Sequence, residues 1–382
     1  MAKRAVFAAI CALILCPALW AQTHLAGLEP KNARTMGAGG SFRVFAQGYE
    51  TFSGNPAGFA GPASLTLGDI SAWTYFKPYP STLHRIASLA QGETDENAFA
   101  SAMETMFSDN FGLGGGFSLG LGWAGKGFGL GIQLNSEALA RGSFYSQSAL
   151  EAQSQANALI GLAWPVQLGA LRIRFGADIR AFYRLDSRGS WPFAELAKAL
   201  YSGTGFVEAV SPRGLRGGYG IALDSGATLA WGPVSAGVMI RDYGYKFAMG
   251  DSTVGEVLET STLPVFGDRL YMLEPTYTAG LSLLLGEKNP IKARLSVEAD
   301  DPTDFFSILM QDPARAWDLA HAGVELDVLN FLYLRGGRNR GLLSIGFGLD
   351  LSLLELDAAL FAEPWSTGEP RVGMVFQAAL RI

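Results

Sequence analysis

The sequence predicts an all-β fold, a fourteen-stranded antiparallel β-barrel that crosses the outer membrane, preceded by an N-terminal segment that lies in its lumen. Segments that alternate apolar with small or polar residues recur from about residue 63 to the C-terminus. The links between them are short and long in turn, as expected when tight turns lie on one side of a membrane and loops on the other. Only 17% of the residues are charged, whereas about a quarter are charged in soluble domains.

The first 21 residues have the three-part layout of a secretory signal. Lys3 and Arg4 precede an apolar run over residues 5–15, and we expect cleavage after Ala21. A membrane anchor is one alternative, but a spanning helix needs about 20 apolar residues. A lipoprotein signal processed at Cys16 is another, although Leu15 stands where such sites normally have a small residue. The predicted domains are a signal over 1–21, a lumenal segment over 22–61 and a barrel over 62–382.

The composition of the processed chain excludes several classes of function. Cys11 and Cys16 both lie in the signal, so neither a disulfide framework nor a thiolate metal site is expected. Loss of Lys3 and Arg4 changes the formal charge from −6 to −8, and no basic run remains to bind nucleic acid. Because no remaining run has the roughly 18 apolar residues of a transmembrane helix, the membrane would be crossed by strands. We expect no metal and no cofactor.

The clearest hairpin covers residues 114–136. Its two runs, 117–123 and 128–134, each place large apolar residues at every second position and glycine or polar residues between them. Successive side chains of a strand point to opposite faces, so one face is apolar and the other small or polar. The run over 171–184 alternates in the same way and supplies the roughly 9–11 residues that a barrel strand needs to cross a bilayer. The same pattern predicts strands at 63–76, 113–124, 127–136, 153–164, 170–184, 217–231, 234–247, 274–285, 290–300, 318–327, 330–336, 341–351, 353–362 and 371–382.

The long links are 77–112, 137–152, 185–216, 248–273 and 301–317. The short links, among them 125–127, 165–169 and 286–289, would face the periplasm and the long ones the exterior. Apolar residues at helical spacing predict local helices at 96–107 and 191–201, the second with Pro192 near its start. Such helices would lie over the pore mouth or pack on the rim of the barrel.

Two strands carry charges on the face that would line the lumen. These candidate lumen charges are Arg172, Arg174, Asp178, Arg180 and Arg184 in one strand, and Lys292, Arg294 and Glu298 in another. The arginines would attract a carboxylate or line an aqueous path. The alternative, which we favour, is a network of salt bridges that braces the wall or the lumenal segment.

Motifs of enzymes occur in contexts that do not suit them. The run Gly120–Gly125 fits a dinucleotide fingerprint, and with Lys126 it is close to a phosphate loop, but a second strand follows where both need a helix. Ser118 fits a serine-hydrolase motif but lies in the middle of a strand, away from the sharp turn that exposes such a nucleophile. We therefore expect a protein that is not an enzyme.

The residues before the first strand are too glycine-rich and irregular to span a membrane. They include Met36-Gly37-Ala38-Gly39-Gly40 and, further on, Asn55-Pro56-Ala57. A segment of this kind can fold into a barrel lumen, because irregular backbone is tolerated where protein surrounds it.

These elements resemble those of the outer-membrane long-chain fatty acid transporters, the FadL-type barrels. In that family a glycine-rich hatch ends in an Asn-Pro-Ala element and is followed by fourteen strands, so the resemblance assigns Gly37, Gly39, Gly40, Asn55, Pro56 and Ala57 to the hatch. The motif match covers residues 31–60, whereas the architecture covers the whole processed chain. The family's ligand-binding side chains have no counterpart motif in this sequence.

The resemblance implies diffusional uptake of hydrophobic small molecules, such as long-chain fatty acids, through a hatch-gated channel in the cell outer membrane. In the family, substrates bind in a largely apolar interior and leave through a lateral opening in the wall after the hatch shifts. The expected partners are these molecules and outer-membrane lipid. The alternative is a barrel that does not transport and serves as a surface antigen or a secretion accessory, because the hatch signature occurs in barrels with other functions. A general porin needs an open aqueous bore, which a hatch opposes.

Overall fold

The alternating segments form fourteen strands that close into an antiparallel barrel, β1 pairing with both β2 and β14. The computed structural model describes residues 23–75, 113–141, 147–189, 191–201, 205–364 and 370–382. The strands are β1 (Ser64–Tyr75), β2 (Leu113–Gly125), β3 (Phe128–Arg141), β4 (Ala149–Leu168), β5 (Leu171–Ser187), β6 (Gly214–Trp231), β7 (Val234–Gly244), β8 (Thr276–Leu285), β9 (Ile291–Asp300), β10 (Ala320–Val328), β11 (Leu332–Asn339), β12 (Leu342–Asp350), β13 (Leu354–Pro364) and β14 (Pro370–Arg381). All fourteen predicted strands are confirmed.

The predicted ends differ most in the hairpin of β3 and β4. These strands are 14 and 20 residues long and stay paired as far as Arg141 and Ala149, so the expected loop over 137–152 is largely strand. The predicted turn over 165–169 is also strand as far as Leu168. Pro165 is tolerated there because the pairing of β4 with β3 ends at Leu162, and the missing N–H of proline faces no partner strand.

The expected loop over 248–273 contains further strand. β7 ends at Gly244 and not at residue 247, and the short strand Phe247–Thr253 pairs with the start of β6. A second short strand, Arg269–Leu273, pairs with Phe247–Met249 and, in parallel, with Thr23–Leu25. The break follows Asp242, whose φ of 60° interrupts the register between β6 and β7.

The helices of the described residues are short. They are α1 (Ala33–Gly37), α2 (Phe193–Tyr201), α3 (Phe206–Val210), α4 (Val254–Thr260), α5 (Pro302–Gln311) and α6 (Pro313–Ala316), with 3-10 helices at Gly48–Phe52 and Pro56–Ala60. The predicted helix over 191–201 is confirmed from Phe193, and its Leu196 packs with Trp191, Val210 and Leu215 on the rim of the barrel. The predicted helix over 96–107 and the predicted signal lie outside the described residues. In the part of the chain that the structure describes, every helix is too short or too polar to cross a membrane.

The two faces of the wall have opposite chemistry. Large apolar side chains such as Leu130, Ile132 and Ile179 point outward and are about half exposed, whereas inward positions hold buried polar residues such as Asn135 and Gln155. Soluble proteins rarely expose apolar patches of more than a few hundred Å². The outward face is therefore the lipid-facing band of a membrane barrel.

Candidate functional site

Residues 26–61, here called the lumenal segment, lie inside the barrel. Helix α1 packs against β11–β14, the 3-10 helix Gly48–Phe52 against β1 and β2, and the 3-10 helix Pro56–Ala60 against β4–β6. Ala33, Val44 and Phe59 have no exposed surface. The lumenal segment thus reaches opposite sides of the wall and fills the bore between them.

Glycines of the wall allow the backbone of the lumenal segment to approach closely. A Cβ on Gly176 of β5 would overlap the backbone of Pro56, and one on Gly337 of β11 would overlap the backbone of Ala38. The small face of the alternating strands is therefore a seat for the lumenal segment. This role is not predicted from the sequence, because the alternating pattern shows that a residue is small and not what it contacts.

Three aromatic rings of the lumenal segment lie on further wall glycines. Tyr49 covers Gly120, Phe52 covers Gly122 and Gly131, and Phe59 covers Gly129 and Gly161. The rings also contact one another, with centroids 5.3 Å apart for Tyr49 and Phe52 and 5.6 Å apart for Phe52 and Phe59. Such ring pairs contribute about 0.5–1.5 kcal/mol each beyond the burial of their area. Burial, and then the nearby carboxylate of Asp69, raise the pKa of the Tyr49 phenol, so this ring stays neutral.

The predicted hatch residue Asn55 joins the lumenal segment to the wall. Its Oδ1 accepts the N–H of Ala57 at 3.0 Å, which caps the 3-10 helix that Pro56 begins. Its Nδ2 donates to the carbonyl oxygens of Val44 at 3.0 Å and of Val238, in β7, at 3.1 Å. Only a side-chain amide supplies an acceptor and two donors in this geometry, so aspartate is not equivalent.

Of the predicted glycines, Gly37 ends α1, and Gly39 and Gly40 lie in the turn after it. Gly39 and Gly40 have φ values of 70° and 81°, which glycine adopts without strain. Gly37 lies against the backbone of Gly346 in β12, and Gly40 against the ring of His321 in β10. The turn therefore needs glycine both for its dihedral angles and for its closeness to the wall.

Arg34 ties α1 to β10 through a bidentate ion pair. Its guanidinium donates to both oxygens of Glu325 at 2.7 Å and to Glu50 at 3.0 Å. Arg335 of β11 donates to the same Glu325 at 2.8 Å and also pairs with Asp357 of β13. Burial alone would lower the pKa of Arg34, but the carboxylates of Glu325 and Glu50 outweigh it and raise this pKa well above its ordinary value. The ion pair therefore stays charged.

Arg43 makes a second tie, to β9. It pairs with Asp300 at 2.5 Å and with Glu29 at 3.1 Å. Glu298, one of the candidate lumen charges, accepts the backbone N–H groups of Arg43 at 3.1 Å and of Val44 at 3.3 Å. The roles of Arg34 and Arg43 are not predicted from the sequence, because their partners in the wall, Glu325 and Asp300, lie more than 250 residues away in the chain.

The structure separates the other candidate lumen charges. Arg184 contacts the lumenal segment at the carbonyl oxygen of Ala26, at 3.1 Å. Arg180 pairs with Asp242 and Asp224, and Asp224 also pairs with Arg241, which donates to the carbonyl oxygen of Gly54 at 3.0 Å.

The remaining five do not touch the lumenal segment through a hydrogen bond. Asp178 is buried opposite Asp224, and its carboxylate oxygens accept no hydrogen bond from the described residues. Lys292 pairs with Asp327 at 3.1 Å. Arg172, Arg174 and Arg294 make no ion pair with the described residues.

Two adjoining cavities lie beside the first half of the lumenal segment. Their volumes are about 280 and 450 Å³, and both are lined by Glu29, Lys31, Arg43, Asp300 and Arg340. His321 lies at the edge of the first, with its Nε2 3.1 Å from Asp300 and its Nδ1 3.2 Å from the carbonyl oxygen of Gly39. The lining of these two cavities is thus polar, unlike the largely apolar interior that the family resemblance implies.

The enzyme-like motifs have ordinary structural roles. Residues 120–126 belong to the hairpin of β2 and β3, so no helix follows to meet a phosphate. Ser118 is buried in the middle of β2, paired with Ser71 on one side and Asn135 on the other.

No protein-family model and no curated protein matches the chain. Among solved structures, it is similar to the toluene transporter TbuX of Ralstonia pickettii, with 14% identity over 93% of this chain and 98% of that one and a TM-score of 0.50. The toluene transporter TodX of Pseudomonas putida (12% identity, 94% and 99% covered) and a FadL homologue of Pseudomonas aeruginosa (13%, 93% and 99%) give TM-scores of 0.47 and 0.41, too low to support an argument. At this identity the likeness to TbuX establishes the fold alone. The chain therefore shares its fold with the FadL-type barrels of the outer membrane, as its sequence predicts.

Proposed function

We propose that this protein is an outer-membrane diffusion channel for hydrophobic small molecules and that the lumenal segment is its gate. The observation that supports the proposal is the position of the lumenal segment across the bore. It packs on glycines of the wall and is joined to the wall by hydrogen bonds and ion pairs. The fold supports it, since TbuX is described as a toluene transporter. The substrate class extends from monoaromatic hydrocarbons to long-chain fatty acids.

The two halves of the lumenal segment are held in different ways. The second half packs three aromatic rings against the wall, whereas the first half, residues 26–47, packs Ala33 and Met36 against the wall, is also held by ion pairs and borders both polar cavities. Packed apolar contacts resist displacement, whereas ionic and polar groups beside a cavity can exchange partners with water. The first half is therefore the part that moves when the channel opens.

The test locks the first half to the wall. Lys31 and Glu363 form an ion pair at 2.8 Å. Because both native cysteines fall in the predicted signal, we expect Lys31→Cys with Glu363→Cys to supply the only thiols of the processed chain. Bridging them with a short bis-maleimide should abolish uptake of labelled toluene and oleate by cells that produce the protein. Cells that produce either single variant, treated with the same reagent, should take up both compounds at the rate measured without the reagent. Full uptake by the bridged protein would disprove gating by this half.

The polar lining of these two cavities favours one competing function, a barrel that does not transport and serves protein interactions at the cell surface. In that case purified protein would show no saturable binding of oleate or toluene, its production would not change their uptake, and a stable protein partner would co-purify. Saturable binding together with uptake that depends on production excludes it.

A further inference from the structure

Helix α5 lies on the outside of the barrel, against β8 and β9. It follows directly after β9, in one of the long connections. A broad sector of the helix is apolar (Pro302, Phe305, Phe306, Ile308, Leu309 and Met310), and a narrow sector is polar (Thr303, Asp304, Ser307 and Gln311). Phe306 and Met310 are 60% and 87% exposed, so the apolar sector is wider than the part covered by the wall. A wide apolar sector suits a helix that lies in a membrane interface, and the polar sector of α5 carries one acidic residue and neither Lys nor Arg.

A groove of about 710 Å³ runs between α5 and the wall. Its floor is a row of directly paired residues across β6 to β9, namely Ala227, Val238, Ala279 and Ala299. Three alanines in a band of large side chains leave a hollow, and larger residues such as Phe175 and Leu281 form its sides. Phe305 and Leu309 of α5 form its roof. The volume lies within the usual range for ligand pockets, about 300–1,000 Å³.

The surroundings of the groove identify its occupant. The groove is continuous with the lipid-facing band, and the side chains of its floor, sides and roof are hydrocarbon. It does not communicate with the lumen, because β7 and β8 are paired without interruption from Arg241 with Thr276 to Val234 with Leu283. A molecule in the groove therefore reaches it from the membrane.

We propose that the groove is a binding site for one acyl chain of a membrane lipid, taken from the leaflet on the loop side, and that α5 is the interfacial helix that covers this chain. An apolar hollow excludes water, so an acyl chain supplies the contacts that the three alanines leave unmade. The proposal depends on the membrane location of the barrel and not on its transport function.

The test uses the full barrel in phosphatidylcholine vesicles that contain a small fraction of phospholipid with a photoactivatable diazirine in its acyl chain. After illumination and digestion, the label should be enriched several-fold in the peptide that contains α5, relative to other lipid-facing peptides. Ala227→Leu with Ala279→Leu fills the floor and should remove this enrichment. Ala177→Leu makes the same change on the lipid-facing side of β5, outside the groove, and should preserve it.

Uniform labelling around the band, or enrichment that survives in the double variant, would overturn the proposal. So would loss of the label when toluene or oleate is added in excess, because the occupant would then be a small hydrophobic solute. Gel mobility before and after heating reports whether each barrel has folded. If the double variant does not fold, Phe305→Ser opens the roof without touching the wall, and the label on α5 should then fall several-fold.

Discussion

At the scale of single residues, the inward glycines determine whether the lumenal segment fits. Gly176 has the backbone of Pro56 where its Cβ would be, whereas Gly68, in β1, has no heavy atom within 4 Å of that point. The same substitution at the two sites therefore separates loss of the seat from the general effect of replacing glycine in a strand. Both positions belong to the wall, so neither variant alters the lumenal segment itself.

Gly176→Ala should loosen the second half of the lumenal segment, because the added methyl group must displace the backbone of Pro56. Overpacking of a filled site typically costs about 1–3 kcal/mol. The measurements are the free energy of unfolding in urea and the rate of chymotryptic cleavage after Tyr49, Phe52 and Phe59, which are buried in the second half of the lumenal segment. Gly68→Ala should leave both unchanged. Equal cleavage rates in the two variants would show that Gly176 is not a seat.

At the scale of elements, the ion pairs of α1 hold the first half of the lumenal segment. Arg34→Met removes the cation between Glu325 and Glu50 while keeping most of the side-chain volume. Breaking a buried ion pair in this way typically costs about 3–5 kcal/mol. We expect faster tryptic cleavage after Lys31 and Arg43, and a larger conductance in planar bilayers because α1 leaves its position more often.

The matched control for Arg34 is Lys292→Met. Lys292 also pairs with an acidic residue of β10, Asp327, but it donates as well to Asn330 in the short turn that follows β10, and it makes no hydrogen bond or ion pair with α1. Its loss should change neither the cleavage rate nor the conductance. A conductance that rises equally in both variants would mean that lumen charge, and not the tie of α1, controls the pore.

The elements also show which parts of the structure can be predicted from sequence. Strand number and order follow from an alternation that repeats fourteen times, but the ends of β3 and β4 depend on cross-strand pairing that continues beyond the alternating residues. Helix α5 was predicted as loop, although Pro302 and the spacing of Phe305, Phe306 and Leu309 indicate a helix start and an apolar face. The Asn55-Pro56-Ala57 element can be recognised in the sequence because its residues are adjacent. The ion pairs that join Arg34 and Arg43 to the wall cannot be recognised there, since their partners in the wall lie in distant strands.

At the scale of the whole molecule, the wall and the lumenal segment have separable roles. The fourteen strands pair with one another around the ring, and the outward band faces lipid, so neither the pairing nor the band depends on residues 26–61. Barrels of 16–18 strands keep an aqueous channel when nothing fills them, whereas about eight strands are filled by their own side chains. Among the residues that the structure describes, the lumenal segment is the element that lies across this fourteen-stranded bore.

Deletion of residues 26–61 should therefore convert a closed barrel into an aqueous pore. The exposed lining would be polar, with Gln133, Asn135 and Gln155 among the side chains that become hydrated. We expect assembly into a heat-modifiable barrel, a large stable conductance in planar bilayers, and cells that become sensitive to hydrophilic antibiotics. Uptake of toluene should lose its dependence on the bis-maleimide lock, since the locked element is gone. A deletion variant that assembles and conducts no more than the full chain would place the closing element in the wall or its loops, and would remove the lumenal segment from the mechanism.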